Sequence, residues 1–378
     1  MKHPWIKKIA TLSFLSIASM AALTGCQHKT HTNTQLSMYV GTYDPSVSDG
    51  VYRISINTET GEFSASEKVI DAQSPSFLGQ SKNNVLYAVE RADNGILAAY
   101  KKDSNSQFEK INSVLTEGAS PCYIAFSPDQ KLVATANYTG GNVSVFGLKA
   151  SGEIQQNPLI IAHQGRSITD RQKSPHAHWV KWSPWQANTL YAVDLGTDNI
   201  MQHTISANGK QVVSSVVVHK AKAGAGPRHL VFHPTQKRVY ILNELDNTLV
   251  VASVTSDGTF KFEQRISTLP AGFDQHNQAG HIEISQDGKH VYTSNRGHDS
   301  LAHFALDEKG QATFVRTVST QGNWPRYFSL LDKHGLLIVA NRQSHTVVSY
   351  KIHDNGGLVP TGFTGTVKWP SYIEPATL

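Results

Sequence analysis

Cysteine is nearly missing from this chain: 378 residues contain Cys26 and Cys122 and no other. At most one disulfide could form, so stability has to come from packing and not from a cross-linked scaffold. Helical periodicity is missing too, since almost no stretch beyond the first 25 residues repeats its apolar positions every three or four. That excludes a helical bundle and a helical solenoid. No apolar run reaches a comfortable membrane span; the best candidate, Ile9 to Leu23, is too short. A strong charge of either sign is also lacking. The formal charge of +5 falls to +2 once residues 1–25, with Lys2, Lys7 and Lys8 and no acid, are set aside. Nothing then argues for a nucleic-acid partner. Hydrophobic residues at 39% suffice to bury a core in one large domain or two ordinary ones.

What is present begins with an address. The three lysines and the short apolar run have the pattern of a secretory signal, and the run closes on Leu23-Thr24-Gly25-Cys26, which resembles the bacterial lipobox. That resemblance implies cleavage before Cys26 and lipid attached to it. The expected division is a signal peptide over 1–25, a polar tether over 26–36, and a folded domain over 37–378. The expected location is the bacterial cell envelope, as an exported lipoprotein held to the membrane by lipid on Cys26. Gln27 after that cysteine leans toward the periplasmic face of the outer membrane if the cell is Gram-negative. Cys122 is then unpaired, and PCYIAFSPD suits a small buried residue at a strand start better than a catalytic thiol.

From residue 37 onward the chain repeats. PSFLGQSKNNVLYAVERADNGILAAY, PCYIAFSPDQKLVATANYTGGNVSVF and PRHLVFHPTQKRVYILNELDNTLVVASV share one plan, as do HAHWVKWSPWQANTLYAVDLGTDNIMQH, GHIEISQDGKHVYTSNRGHDSLAHF and PRYFSLLDKHGLLIVANRQSHTVVSY. Each has an apolar strand, a turn, a second apolar strand ending in a polar pair, another turn, and a third alternating strand. A more polar fourth strand follows, and units recur at roughly 45–54 residues, the length of a four-stranded propeller blade. The first unit, SMYVGTYDPSVSDGVYRISI, starts at its second strand, and the missing piece appears at the other end as PSYIEPATL. The expected fold is therefore all-β: a seven-bladed β-propeller of four-stranded antiparallel blades, closed by the C-terminal strand pairing into the first blade.

Superposing the units shows which residues reach the channel. Ser76, Cys122, His178, Arg228, Gly280, Arg326 and Ser371 share a slot at the start of the inner strand. Thr42-Tyr43, Glu90-Arg91, Asn137-Tyr138, Asp194-Leu195, Asn243-Glu244, Asn295-Arg296 and Asn341-Arg342 share one at the end of the next. In antiparallel neighbours these slots meet on one rim. Asn137, Asn243, Asn295 and Asn341 recur and are expected to bond backbone and hold the blades. Arg228, Glu244, Arg296 and His178 do not recur, as a site facing a ligand would require. His176 and His178, at i and i+2, would share a strand face that a divalent ion could use, but no carboxylate stands at ligand spacing with them. No metal or other cofactor is expected. His233, His281 and His303 fall among strand and turn residues and are taken as structural or exposed.

GPRHLVFHP with YILNEL, then HVYTSNRGHDS, PRYF and LIVANRQS, together with YVGTY and ATANYTGGNVSVF, resembles the seven-bladed lactonase family from about Tyr39 onward. The family includes the propeller-type 6-phosphogluconolactonase and the fungal carboxy-cis,cis-muconate lactonizing enzyme. The resemblance implies a catalytic set of His178 (or His176), Glu244, Arg228 and Arg296. Arg326, Arg342, Glu90 and Arg91 join as substrate-binding candidates from the repeat. Opening a 1,5-lactone needs a directed water, a stabilised oxyanion and a proton for the leaving alkoxide. Glu244 and His178 could divide the acid and base work if their pKa values lie near working pH, and the arginines suit an oxyanion, carboxylate or phosphate. The expected activity is hydrolysis of a small sugar lactone, 6-phosphogluconolactone or unphosphorylated gluconolactone, by a monomer. The alternatives are a non-catalytic envelope scaffold or binding module, and a muconate-type lactonizing enzyme.

Overall fold

Five of the seven repeated apolar strands open on proline, at Pro75, Pro121, Pro227, Pro325 and Pro370. Proline has no N–H to give a ladder, so the first residue of a strand is where it costs least. The second strand of each repeat is apolar on both faces; Val85–Glu90, Leu132–Asn137, Thr189–Asp194 and Leu336–Asn341 are buried throughout. Such strands need cover on both sides, which neighbouring blades supply. The fourth strand is polar and faces water, as in Val212–Lys220, most of which is exposed.

The computed structural model describes residue 1 and residues 34–44, 46 and 49–377. The signal-like segment, Cys26 and the tether up to residue 33 lie outside the described residues. Residues 34–378 form one unit of seven sheets, each of four antiparallel strands. Helical content among the described residues is two single 3-10 turns, Asp170–Gln172 and Asp332–His334. Blade 1 is closed as expected: Pro370–Pro375 pairs antiparallel with Gln35–Thr42, Tyr39 opposite Glu374.

Adjacent blades are tied by a repeated polar contact. Tyr87, Tyr240 and Tyr292, buried in the second strands of blades 2, 5 and 6, donate to the carbonyls of Gly152, Gly310 and Gly356 in the next blade, at 2.7, 2.9 and 2.7 Å. Between blades 7 and 1, Ser349 donates to Gly61 O at 2.7 Å. The recurring asparagines also reach across: Asn295 Nδ2 donates to Thr268 O at 2.8 Å and Asn341 Nδ2 to Thr320 O at 2.9 Å. Asn243 instead bonds the Thr248 hydroxyl of its own blade.

One irregularity of the inner strands shapes the channel. Their pairing register skips Ser76, Cys122, His178, Arg228, Arg326 and Ser371, and in blade 6 it skips Gly280 with His281. Each skip is a β-bulge, which turns two consecutive residues toward the axis where regular pleating would turn one. The first of the two is the slot residue. The second is a ring in every blade: Phe77, Tyr123, Trp179, His229, His281, Tyr327 and Tyr372. Neighbouring rings touch, as in Phe77–Tyr123 at 4.1 Å, His281–Tyr327 at 3.8 Å and Phe77–Tyr372 at 4.6 Å between centroids. Others meet past one intervening blade, Phe77–Tyr327 at 5.8 Å and Tyr123–His229 at 5.3 Å. The rings, together termed the plug, stand between an arginine-lined cavity on one side and cavities beside Lys181 on the other.

Candidate active site

On one side of the plug lies a cavity of about 180 Å³ lined by Tyr43, Arg91, Tyr138, Arg171, His178, Glu244, Gln278, Arg296, Trp324, Arg326 and Arg342. Five arginines and one carboxylate face a small space. A larger groove of about 580 Å³ runs over blades 6 and 7, but Asp287, His353 and Asp354 in it are exposed, and water screens their charges. The functional candidate is therefore the channel cavity.

Glu244 organises it. Its Oε2 accepts from Arg228 Nε and Arg296 Nη2, each at 2.9 Å, and its Oε1 from Arg171 Nη2 at 3.2 Å. Burial alone would raise the carboxyl pKa, but the fields of Arg296, Arg228 and Arg171 outweigh it and hold it at about 2. Arg228 is 1% exposed, sits behind Glu244 away from the cavity wall, and donates from Nη1 to Gly280 O at 2.5 Å. Burial and the like charge of Arg296 bring its pKa down to about 10, so it keeps its charge at neutral pH. Arg296 is held by the carbonyls of Gln278 and Ala279, at 3.1 and 2.8 Å, beneath the Trp324 ring.

A second group of arginines has a different setting. Arg91, Arg326 and Arg342 surround the Tyr43 ring, with guanidinium carbons 4.3, 5.4 and 4.8 Å from its centroid. None of the three makes an ion pair within 4.0 Å among the described residues, and Arg342 Nε is buried without a hydrogen-bond partner. Burial and the charges of Arg228, Arg296, Arg91 and Arg342 push Arg326 well below the usual arginine range.

His178 is 4% exposed and carries its ring between these groups, Nδ1 3.9 Å from Cys122 Sγ. Burial first, then Arg228 and Arg326, press its pKa well below the ordinary value, so it is neutral at pH 7. Acid and base values near working pH, the condition set by the lactone chemistry, are thus not met in the free protein: Glu244 and His178 both lie below it. Cys122 is buried, and burial raises its thiol pKa, which agrees with a packing role.

Of the other candidates, Glu90 does not reach the cavity. Its carboxylate accepts from the Gln73 backbone at 3.2 Å and from the Tyr100 hydroxyl at 3.4 Å, while its neighbour Arg91 points inward. His176 precedes the strand Ala177–Trp182 and His178 occupies the bulge, so the alternation that would have set both on one face does not apply. The His176 ring stacks on Tyr138 at 4.4 Å and its Nδ1 faces Tyr138 O at 2.9 Å. Among the described residues no three His, Cys, Asp or Glu side chains converge as metal ligands. His233, His281 and His303 are all buried, which removes the exposed alternative for them. Arg171 was not foreseen, because it lies in a connection between blades 3 and 4 that the repeat does not contain. Gln278 and Trp324 also escaped notice, standing at or just before inner strands and outside both slots.

A closed seven-bladed ring with an arginine-lined cavity at one end of its channel is the architecture of a propeller lactonase. The chain belongs to that family: the family described as "Lactonase, 7-bladed beta-propeller" matches residues 37–375, and the class is that of a lactonase-type hydrolase. It is 35% identical over 342 residues to the 6-phosphogluconolactonase of Bacillus subtilis (strain 168), covering 89% of this chain and 97% of that one. The solved structure of a periplasmic gluconolactonase from Pseudomonas aeruginosa matches with a TM-score of 0.84 at 26% identity, over 91% of this chain and 99% of that one. A Lactobacillus plantarum protein of solved structure matches with a TM-score of 0.84 at 28% identity, over 90% and 99% of the two chains.

Proposed function

We propose that this protein hydrolyses a 1,5-sugar lactone that carries an anionic group, with 6-phosphogluconolactone as the best fit. The observation that carries this is the trio Arg91, Arg326 and Arg342, three guanidiniums around Tyr43 without an ion-pair partner among the described residues. Clustered, half-buried cations repel one another unless an anion joins them, and planar guanidinium forks match phosphate oxygens.

In this scheme the trio holds the substrate's anionic group and the Arg228–Glu244–Arg296 cluster faces the lactone carbonyl. Glu244 stays ionised and fixes the arginines, and is too weak a base to activate water. Neutral His178 takes the proton as the water oxygen attacks the carbonyl carbon. Arg296, backed by Arg228, stabilises the oxyanion that forms. The ring C–O bond then breaks and the proton passes from His178 to the leaving alkoxide, giving the open acid, which ionises. The bound anion offsets the arginine field at His178 and raises its basicity when substrate is present.

The likeness to the Bacillus subtilis 6-phosphogluconolactonase and the Pseudomonas aeruginosa periplasmic gluconolactonase supports lactone chemistry. The proposal also carries the N-terminal address: a monomer exported to the envelope and anchored by lipid on Cys26, for which labelled palmitate incorporation lost in Cys26→Ala is the check. The activity is tested by pH-stat hydrolysis of glucono-1,5-lactone and its 6-phosphate. The phosphorylated lactone is expected to have the higher kcat/KM, and Arg326→Met to cut that preference by roughly tenfold or more, a charged hydrogen bond being worth ~1.5–3 kcal/mol. No rate above spontaneous hydrolysis with either lactone overturns the proposal.

A further inference from the structure

Five of the seven plug positions hold Phe, Tyr or Trp, so filling the axis does not require histidine. The two exceptions are neighbours, and they stand behind Arg228. His229 and His281 face each other through Nδ1 at 2.9 Å. On the cavity side Arg228 Nη1 lies 3.0 Å from His229 Nε2 and 3.3 Å from its Nδ1. On the far side His281 Nε2 is 3.2 Å from Glu283 Oε1, and the other Glu283 oxygen accepts from Leu330 N at 2.9 Å. Arg228, His229 and His281 are 1, 3 and 4% exposed. Glu283 lines the cavity beyond the plug, about 330 Å³, together with Lys181 and Glu374.

The proton positions follow from what each group can do. Arg228 only donates, so the ring nitrogen nearest it, His229 Nε2, is bare, and the proton of this neutral imidazole sits on Nδ1. His281 then accepts at Nδ1 and donates from Nε2 to Glu283 Oε1, an oxygen that can accept whether or not the acid carries its proton, burial and Glu374 having raised its pKa well above the usual carboxylate range. In either tautomer one His229 N–H lies near Arg228 Nη1, at 3.3 Å with the proton on Nδ1 and 3.0 Å with it on Nε2, and only the first leaves the nearer nitrogen free to accept. Burial, Arg228, His178, His281 and Arg326 all disfavour charge on His229, as burial, Arg228 and Lys181 do on His281, so both rings stay neutral.

We propose that His229 and His281 are positioning residues: a one-way hydrogen-bonded file from Glu283, through the plug, that fixes the Arg228 guanidinium against Glu244. This rests on Arg228 acting at the lactone as proposed above. His229 sets the guanidinium's orientation and His281 sets the tautomer of His229.

Two measurements on the intact protein test it. Nitrogen-15 NMR of labelled histidines is expected to show the uncommon Nδ1–H tautomer for His229 and Nε2–H for His281; an Nε2–H tautomer at His229 overturns the file. In kinetics, His229→Phe keeps a ring in the plug but loses the acceptor, and kcat is expected to fall about 10²-fold, the scale of an ångström's misplacement. KM is expected to stay within about threefold. His229→Gln offers an acceptor and a donor side by side and is expected to recover activity to within about tenfold of wild type. Should His229→Phe fail to fold, His281→Phe, which keeps a ring against Tyr327, is expected to lower kcat in the same direction. A folded Phe variant with wild-type kcat, or Gln and Phe variants equally impaired, overturns the positioning role. If the wild-type protein opens neither lactone, it is the reading of the reaction that fails, and the tautomers still decide the file.

Discussion

Glu244 serves the arginines more than it serves a proton. Without it, Arg228 and Arg296 would lie buried beside each other with no counter-charge, and removing one partner of a buried ion pair costs about 3–5 kcal/mol. Its pKa in the folded protein, about 2, lies below the ordinary 4.5, so its stabilisation is complete above pH 4.5 and is lost as pH falls toward 2. Glu244→Gln is therefore expected to lower stability at pH 7 by about 3 kcal/mol, as read by urea unfolding. The gap between variant and wild type should close as pH drops toward 2. A gap independent of pH would show that the carboxylate charge is not what holds the arginines. At this scale the sequence was readable where the repeat aligned residues: His178, Arg228, Glu244, Arg296, Arg326 and Arg342 all came from slots. Glu90 came from the same slot and turned away, because alternation along a strand end sends neighbours to opposite sides. Arg171 could not be found by alignment, since its segment has no counterpart in other blades.

The inner strand is the element that makes the site. A regular strand would offer the axis one side chain where this one offers two, and the bulge after the first residue supplies the second. The repeat showed the slot residue, yet the ring that follows it was absorbed into the apolar pattern of a core strand. The signal was there: an aromatic or histidine side chain directly after the slot in all seven units, from Phe77 to Tyr372. The pairing of Pro370–Pro375 with the first unit was legible because one repeat lacked a strand and another place had one to spare. Deleting residues 370–378 removes that pairing and the buried Tyr372 and Ile373. It is expected to lower the melting temperature by at least about 10 °C, several times the effect of a single core change. A truncated protein that melts with wild type would show that the ring does not depend on this closure.

At the scale of the whole molecule, charge is arranged along the axis. One end gathers Arg91, Arg171, Arg296, Arg326 and Arg342 around Glu244, while the other has Lys181 with Glu283 and Glu374. Burial raises the Glu374 pKa to about 7, whereas the arginines hold that of Glu244 at about 2. A recessed positive cavity with low-dielectric walls focuses its field on approaching anions. For the phosphorylated lactone, kcat/KM is expected to fall roughly three- to tenfold between about 50 and about 500 mM salt, as the Debye length shrinks. For the uncharged lactone it should hardly change, and equal salt dependence for both would remove the steering argument.

The rings also bear on traffic. Phe77, Tyr123, His229 and Tyr327 crowd together behind the arginines, so the proposed substrate is expected to enter and leave on the arginine side. For the lactone proposed above, the opened acid would keep its anionic group and gain a carboxylate, so the arginines would hold product more tightly than substrate, and inhibition by product is the expected consequence.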